Sequence, residues 1–238
     1  MEKIYMCSNE PLKNLQESRW QQAAPYVAHP LASGAAIFPL FYGLVLKSAQ
    51  QLEAKPPLMS VKEALKGGAK VSKTLSLMVG TQMIAQNELD RLTKGVAYAS
   101  LWNSMLIGAI SAPMLVVFNG YTMNQTAKDS LKGLKLRNVA AIMYLETSFL
   151  FSMRLALSTN EAMKSYLGEG NLTSYAGAFI SGALGSLVGH PADTALTRWQ
   201  KELPVPVRVL YYGAPVKAVT LGVFSIFYKA IKESVESK

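Results

Sequence analysis

Positive charge in this chain gathers in every second connection between apolar stretches, and that alternation restricts the fold more than any single residue does. Six apolar runs can be marked, roughly 23–46, 74–86, 96–118, 138–157, 172–196 and 214–228. After the first come Lys47, Lys55, Lys62, Lys66, Lys70 and Lys73 against Glu53 and Glu63. After the third come Lys128, Lys132, Lys135 and Arg137 against Asp129. After the fifth come Arg198, Lys201, Arg208 and Lys217 against Glu202. These fourteen basic and four acidic residues carry a net +10, in a chain whose total is +9. A water-soluble globule has no reason to sort its charge this way, whereas basic loops mark one side of a bilayer. Both termini then share the other side, which requires an even number of crossings.

Half of the 238 residues are apolar and 16% are charged, below the quarter or so usual in soluble domains. Several runs fall short of the ~20 residues that a hydrocarbon core demands. Some carry charges or proline, which suits helices whose inner faces line a hydrated cavity. A soluble protein of buried helices is the competing reading. Cys7 is the single cysteine, so an internal disulfide is excluded. With two histidines, neither a metal site nor a cofactor is expected. No phosphate loop, zinc-protease motif or dinucleotide fingerprint is present, so no enzyme is expected. The basic segments hold few aromatics and are split by apolar runs, which argues against nucleic acid as a partner. Residues 1–22 are polar and mixed in charge, unlike a secretory signal, and their acids argue against a transit peptide.

Three marks recur along the chain, and repeats of this size define architecture. Pro39, Pro113 and Pro191 lie late in the odd-numbered runs, 74 and 78 residues apart. Lys62 to Gly67, Lys128 to Gly133 and Arg208 to Gly213 each form a short segment that opens on a basic residue and ends in glycine. Asn87-Glu88-Leu89-Asp90-Arg91, Asn160-Glu161-Ala162-Met163-Lys164 and Tyr228-Lys229-Ala230-Ile231-Lys232 close the even-numbered runs. The chain thus reads as one domain, 1–238, of three repeats, about 23–94, 95–168 and 169–238. Proline to pentapeptide spans 48, 47 and 37 residues, so the surface segment inside each repeat is expected to be reduced, most of all in the third.

Residues 188–200, Val-Gly-His-Pro-Ala-Asp-Thr-Ala-Leu-Thr-Arg-Trp-Gln, resemble the mitochondrial carrier signature P-x-[DE]-x-x-[KR]-x-[RK]-x-Q at Pro191, Asp193, Arg198 and Gln200, with Leu196 at the first basic position. The pentapeptides resemble that family's [FY]-[DE]-x-x-[KR] pattern, and the layout matches over essentially the whole chain. The resemblance implies an all-α membrane protein of six transmembrane helices in three pseudo-threefold repeats around a central cavity. It implies a monomeric solute carrier of the mitochondrial inner membrane. Such a carrier moves a small anionic metabolite or nucleotide by alternating access, in a lipid bilayer that includes cardiolipin. An outer or other organelle membrane is the alternative location.

Residue by residue, the resemblance implies helix kinks at Pro39, Pro113 and Pro191; small residues that let membrane helices approach closely are Gly34, Gly108, Gly177, Gly182, Gly185 and Gly189. It implies a ring of ion pairs two and five residues beyond each proline. Those positions read Phe41 and Leu44, Leu115 and Phe118, Asp193 and Leu196, so the ring is largely apolar. Asp193 then either caps a polar group or pairs with Arg198. A second gate is implied at Glu88, Arg91, Glu161, Lys164 and Lys232, where at most two of three bridges can form. Counting back from the pentapeptides places substrate contacts at Leu75, Thr147 with Ser148, and Lys217. Glu146 and Arg154 are ionisable residues inside the fourth run and default to a pathway role. Because the ring is lost, a carrier-fold protein that no longer transports, a membrane scaffold or an insertion factor for other proteins, is the second expectation.

Overall fold

The computed structural model describes residues 10–96, 98–168 and 170–236, with the side chains of 10–22, 100, 149–158, 160, 167 and 236 left outside the description. Among the described residues the chain is all-helical, without strands. Helices α1 (Glu10–Ile37) and α2 (Phe41–Gln51) are joined by a single 3-10 turn, Phe38–Leu40. There follow α3 (Val61–Leu92), α4 (Ala99–Thr122), the short α5 (Ala127–Lys132), α6 (Leu136–Leu167), α7 (Asn171–Val188), α8 (His190–Gln200) and α9 (Ala214–Glu236). Six long rods pack as a closed ring: α1 on α3, α3 on α4, α4 on α6, α6 on α7, α7 on α9, and α9 back on α1.

Each rod begins and ends for local reasons. Ser60 caps α3 by accepting from the Glu63 N–H, while the Glu63 carboxylate accepts from the Ser60 N–H. This reciprocal capping box holds the Glu63 carboxyl below its ordinary range, the Ser60 backbone bond being the main cause. Pro39 breaks the first rod at the 3-10 turn, because its ring removes a backbone donor. Pro191 does the same where α7 and α8 meet at 56°. The expectation of three equal kinks is met differently in the second repeat, where α4 runs through Pro113 without interruption.

Two local features recur three times along the chain. The three rods that carry the prolines stop in the same way. Glu53, Asn124 and Glu202, each two residues past a helix end, adopt positive φ of 55°, 56° and 57°. Beyond them the N–H groups of Ala54, Gln125 and Leu203 reach back to the carbonyls of Ala49, Gly120 and Arg198, at 2.9 Å each. This closes the orphan carbonyls of the last turn, although a non-glycine residue takes the left-handed position each time. The second feature is glycine spacing. Gly34, Gly108 and Gly182 lie 74 residues apart, and they press α1 onto α3, α4 onto α6 and α7 onto α9. A Cβ at Gly108 would stand 2.8 Å from Met143 Cα, and one at Gly182 would stand 2.7 Å from the Leu221 carbonyl oxygen.

By length and composition three helices can cross a membrane, Ala23–Gln51, Leu101–Thr122 and Val207–Val235, or four if the bent pair α7–α8 is one span. The six crossings expected above are therefore met only in part. In α3 the uncharged stretch runs only from Thr74 to Asn87, too short for a hydrocarbon core. The surface segments differ from one connection to the next: α5 follows α4, the 3-10 turn Val207–Val209 follows α8, and an extended stretch leads from α2 directly into α3.

Candidate functional site

The segments after the prolines converge at one end of the ring, where α2, α4 and α8 each touch the other two and α9 begins beside them. Positions that the resemblance assigns to an ionic ring are here apolar and packed. Phe41 and Leu44 are buried with Ile37, Val45 and Val71, and Phe118 packs against them. Leu115 packs on a second cluster containing Leu196 and Val116.

Asp193 is the acid of this layer among the described residues, and its partners come from two other helices, α2 and α9. Lys47 of α2 places its ammonium 3.1 Å from Oδ2 and 3.2 Å from Oδ1. Lys217 of α9 lies 3.1 Å from Oδ2, and the Gln51 amide donates to the same oxygen at 3.0 Å. All four residues are buried. Gln51 also donates to Thr194 Oγ1 at 3.0 Å, and Thr194 donates to the Leu210 carbonyl. His190 donates through Nε2 to the Tyr212 carbonyl, leaving its buried Nδ1 without a bond, 3.9 Å from Asp193. Two ammonium groups on one carboxylate leave the lock with one uncompensated positive charge. Such a cluster is held together by charge-assisted bonds that depend on the shared acid.

A second polar layer lies one to two turns further along. Ser48, Thr122 and Gln200, each nine residues after its proline, are buried there. Ser48 Oγ and Thr122 Oγ1 bond at 2.7 Å. Asn119 donates to Gln200 Oε1 at 2.6 Å and to Thr197 Oγ1 at 3.1 Å, and Gln200 donates to the Val116 carbonyl. Arg198 points away from Asp193. Its guanidinium donates to the Gln51 carbonyl at 2.9 Å, to Glu53 at 3.0 Å and to the Pro204 carbonyl. Of the two roles open to Asp193, pairing with Arg198 is thus replaced by pairing with Lys47 and Lys217, because Arg198 sits more than a turn further along α8. Near the surface Lys135 donates to Glu202 at 3.0 Å, tying α6 to the end of α8. That bond, with the lysine charge behind it, holds the Glu202 carboxyl below its usual range.

The opposite end is held by a different set of contacts. Glu88 pairs with Arg91 of its own helix at 2.8 Å, both side chains more than half exposed, an arrangement worth little. Asp90 accepts from Asn103 at 2.7 Å, joining α3 to α4. Glu161 and Lys164 are exposed on α6, and Lys232 is half-buried on α9. Lys229 donates to Ser174 and stands over the Tyr175 ring at 5.3 Å, linking α9 to α7 inside one repeat.

The substrate candidates do not form one constellation. Leu75 packs into the apolar cluster of Phe41 and Leu44. Thr147 and Ser148 donate to carbonyls of their own helix, those of Met143 and Tyr144. Lys217 belongs to the lock. The Arg154 side chain lies outside the described residues. Glu146 accepts from Gln82 of α3 at 2.8 Å, and the same amide reaches Ser111 of α4 at 3.2 Å. Sequence reasoning missed Lys47, Gln51, Asn119, Thr122 and Gln82. The shared spacing of Ser48, Thr122 and Gln200 from the three prolines was the signal for the second layer, whereas nothing local marks Lys47 as the partner of Asp193. Comparison with known families, curated proteins and solved structures returned no match for this chain.

Proposed function

We propose that this chain is a divergent, shortened solute carrier of the mitochondrial carrier type, which moves a small anionic solute by alternating access. The observation that carries the reading is that α2 and α9 both reach the buried carboxylate of α8, Asp193, at the end of a closed ring of six rods where α2, α4 and α8 meet. Three identical helix stops and three glycines at constant spacing support a threefold origin for that ring. The conformation is that of a protein latched at the Asp193 end. Opening there requires Lys47, Lys217 and Gln51 to leave the carboxylate together, which a bistable packed interface accomplishes as one step. The excess positive charge of the lock favours an anion as cargo, and the basic connections mark the side of the bilayer that this end faces. By the resemblance that membrane is the mitochondrial inner membrane, and the unit is a monomer.

Uptake into proteoliposomes tests the reading. Purified protein is reconstituted with internal phosphate, nucleotide or dicarboxylate, and each labelled anion is offered outside. Saturable uptake that collapses in Lys217→Ala supports a carrier. Absence of uptake for every anion, with the protein folded in the bilayer, favours the second reading, a carrier-fold scaffold. One feature of the structure speaks for that alternative: Phe41, Leu44, Leu115, Phe118 and Leu196 replace a switchable ionic ring by fixed apolar packing.

A further inference from the structure

His190 is fully buried, and one of its two ring nitrogens has no hydrogen-bond partner. It opens α8 directly after the 56° bend from α7, the point about which α8 can swing. Nε2 donates to the Tyr212 carbonyl at 2.9 Å, so in the neutral ring Nδ1 carries the lone pair. That nitrogen lies 3.9 Å from Asp193 Oδ2, and the Tyr211 ring stacks on the imidazole at 6.1 Å between centroids. The charged groups that face it are Lys47 from α2, Lys217 from α9 and Asp193 of its own helix. Neither α4 nor α7 contains a charged residue. On α6, Arg137 engages Trp199 and Glu146 engages Gln82.

A proton on Nδ1 would set three cations against one carboxylate in a site closed to water. The lock already holds one positive charge more than its acid compensates, and a further buried charge is expensive. Asp193 could answer the new charge only by releasing a lysine, which undoes the lock. The closed end therefore excludes that proton. Opening reverses the balance. Once Lys47, Lys217 and Gln51 leave the carboxylate, water reaches the ring, and an imidazole in water takes up a proton near pH ~6.5. The ring is thus neutral when the end is closed and protonated when it is open. Closure keeps its full advantage above about pH 6.5. Below that value it weakens, by about tenfold in the closed-to-open ratio for each pH unit.

We propose that His190 Nδ1 is the proton-binding site of the lock, and that opening at the Asp193 end takes up one proton there. The inference rests on the carrier reading in treating that opening as a step of the cycle. Acid on the side that this end faces then favours the open conformation, so pH on that side gates the path of the solute. The proton leaves again when the ring returns to its buried place beside Lys47 and Lys217.

The test reads opening without any solute. In the full chain carrying Cys7→Ser and His29→Gln, His190 is the one imidazole, and Ser48→Cys places a thiol in the buried polar layer beside the lock. Labelling of that thiol by methyl methanethiosulfonate is followed in detergent from about pH 8 to about pH 5.5. The same protein with His190→Asn, which keeps a donor but does not titrate, is labelled in parallel. The ratio of the two rates cancels the pH dependence of the thiol itself, and it is expected to rise about tenfold over that range. His190→Gln replaces the asparagine variant if that one fails to fold. A flat ratio, a ratio that falls in acid, or a thiol that stays unlabelled at the acid end overturns the inference. So does a His190 ring that titrates, by nitrogen NMR, while the thiol stays protected. Acid-gated labelling in a protein that admits no anion into proteoliposomes would sink the carrier reading and leave the proton site standing, so the two failures remain distinguishable.

Discussion

Lys47 of α2 and Lys217 of α9 both place their ammonium nitrogens 3.1 Å from the same oxygen of Asp193. The two cations therefore compete for one acid and are not equivalent to two ion pairs. Removing the acid strands two buried ammonium groups, whereas removing either lysine leaves a neutral pair. Asp193→Asn is expected to cost about 3–5 kcal/mol. Lys217→Met is expected to cost much less, because the lost charge was the uncompensated one. Thermal melts of the purified variants in detergent order the two. A Lys217→Met variant as unstable as Asp193→Asn would show that the lock needs both cations.

The three glycines at constant spacing differ in what a methyl group would meet. At Gly108 the nearest obstacle is backbone, Met143 Cα, and at Gly182 the Ser225 hydroxyl is nearest, with the Leu221 carbonyl oxygen 2.7 Å away behind it. At Gly34 the nearest obstacle is the hydroxyl of Ser76, the end of a movable side chain. Gly108→Ala and Gly182→Ala are each expected to cost about 1–3 kcal/mol, the usual range for overpacking. Gly34→Ala should cost less, since Ser76 can turn aside. Comparing the three melting temperatures decides the order, and equal losses would mean that the rods shift as rigid bodies.

The breaks after the first and fifth apolar runs were legible because proline and glycine act locally. Pro39 and Pro191 lie at helix breaks, as a missing N–H favours, and the charge alternation needs no tertiary knowledge. The apolar character of Phe41, Leu44, Leu115 and Phe118 was equally plain. The pairing of Asp193 with Lys47 was not. It depends on how far α2 and α8 tilt towards each other, and neither sequence spacing nor periodicity encodes that tilt. The substrate positions counted back from the pentapeptides failed to gather for the same reason. Counting fixes depth on an ideal rod, but Leu75 turns into a core and Lys217 reaches down to an acid on α8. Gln82 was invisible because a single amide in an apolar run has no pattern around it.

Glu202 supplies a pH-dependent prediction outside the membrane-spanning rods. Its carboxyl is held low by the bond from Lys135. A depressed folded value means that the stabilisation is present above the unfolded value of about 4.3 and is lost as pH falls through the folded one. Glu202→Gln should therefore melt slightly below the parent chain near neutral pH, with the difference vanishing in acid. The pair is exposed, so added salt should shrink the difference as well. A gap that stays constant with pH would remove the clasp from the account.

Closure at the lock end can be fixed covalently. Ser48 Oγ and Thr122 Oγ1 lie 2.7 Å apart on α2 and α4, a separation at which two cysteine sulfurs can bond after small rotamer adjustments. The double variant Ser48→Cys with Thr122→Cys, in a Cys7→Ser background, should form a disulfide under mild oxidation. If α2 and α4 separate during each cycle, oxidation stops uptake into proteoliposomes and reduction restores it. The single cysteine variants serve as controls, since neither can form the bond. Uptake that continues in the fully oxidised double variant would show that these two helices stay together, and the path of the solute would then have to lie elsewhere in the ring.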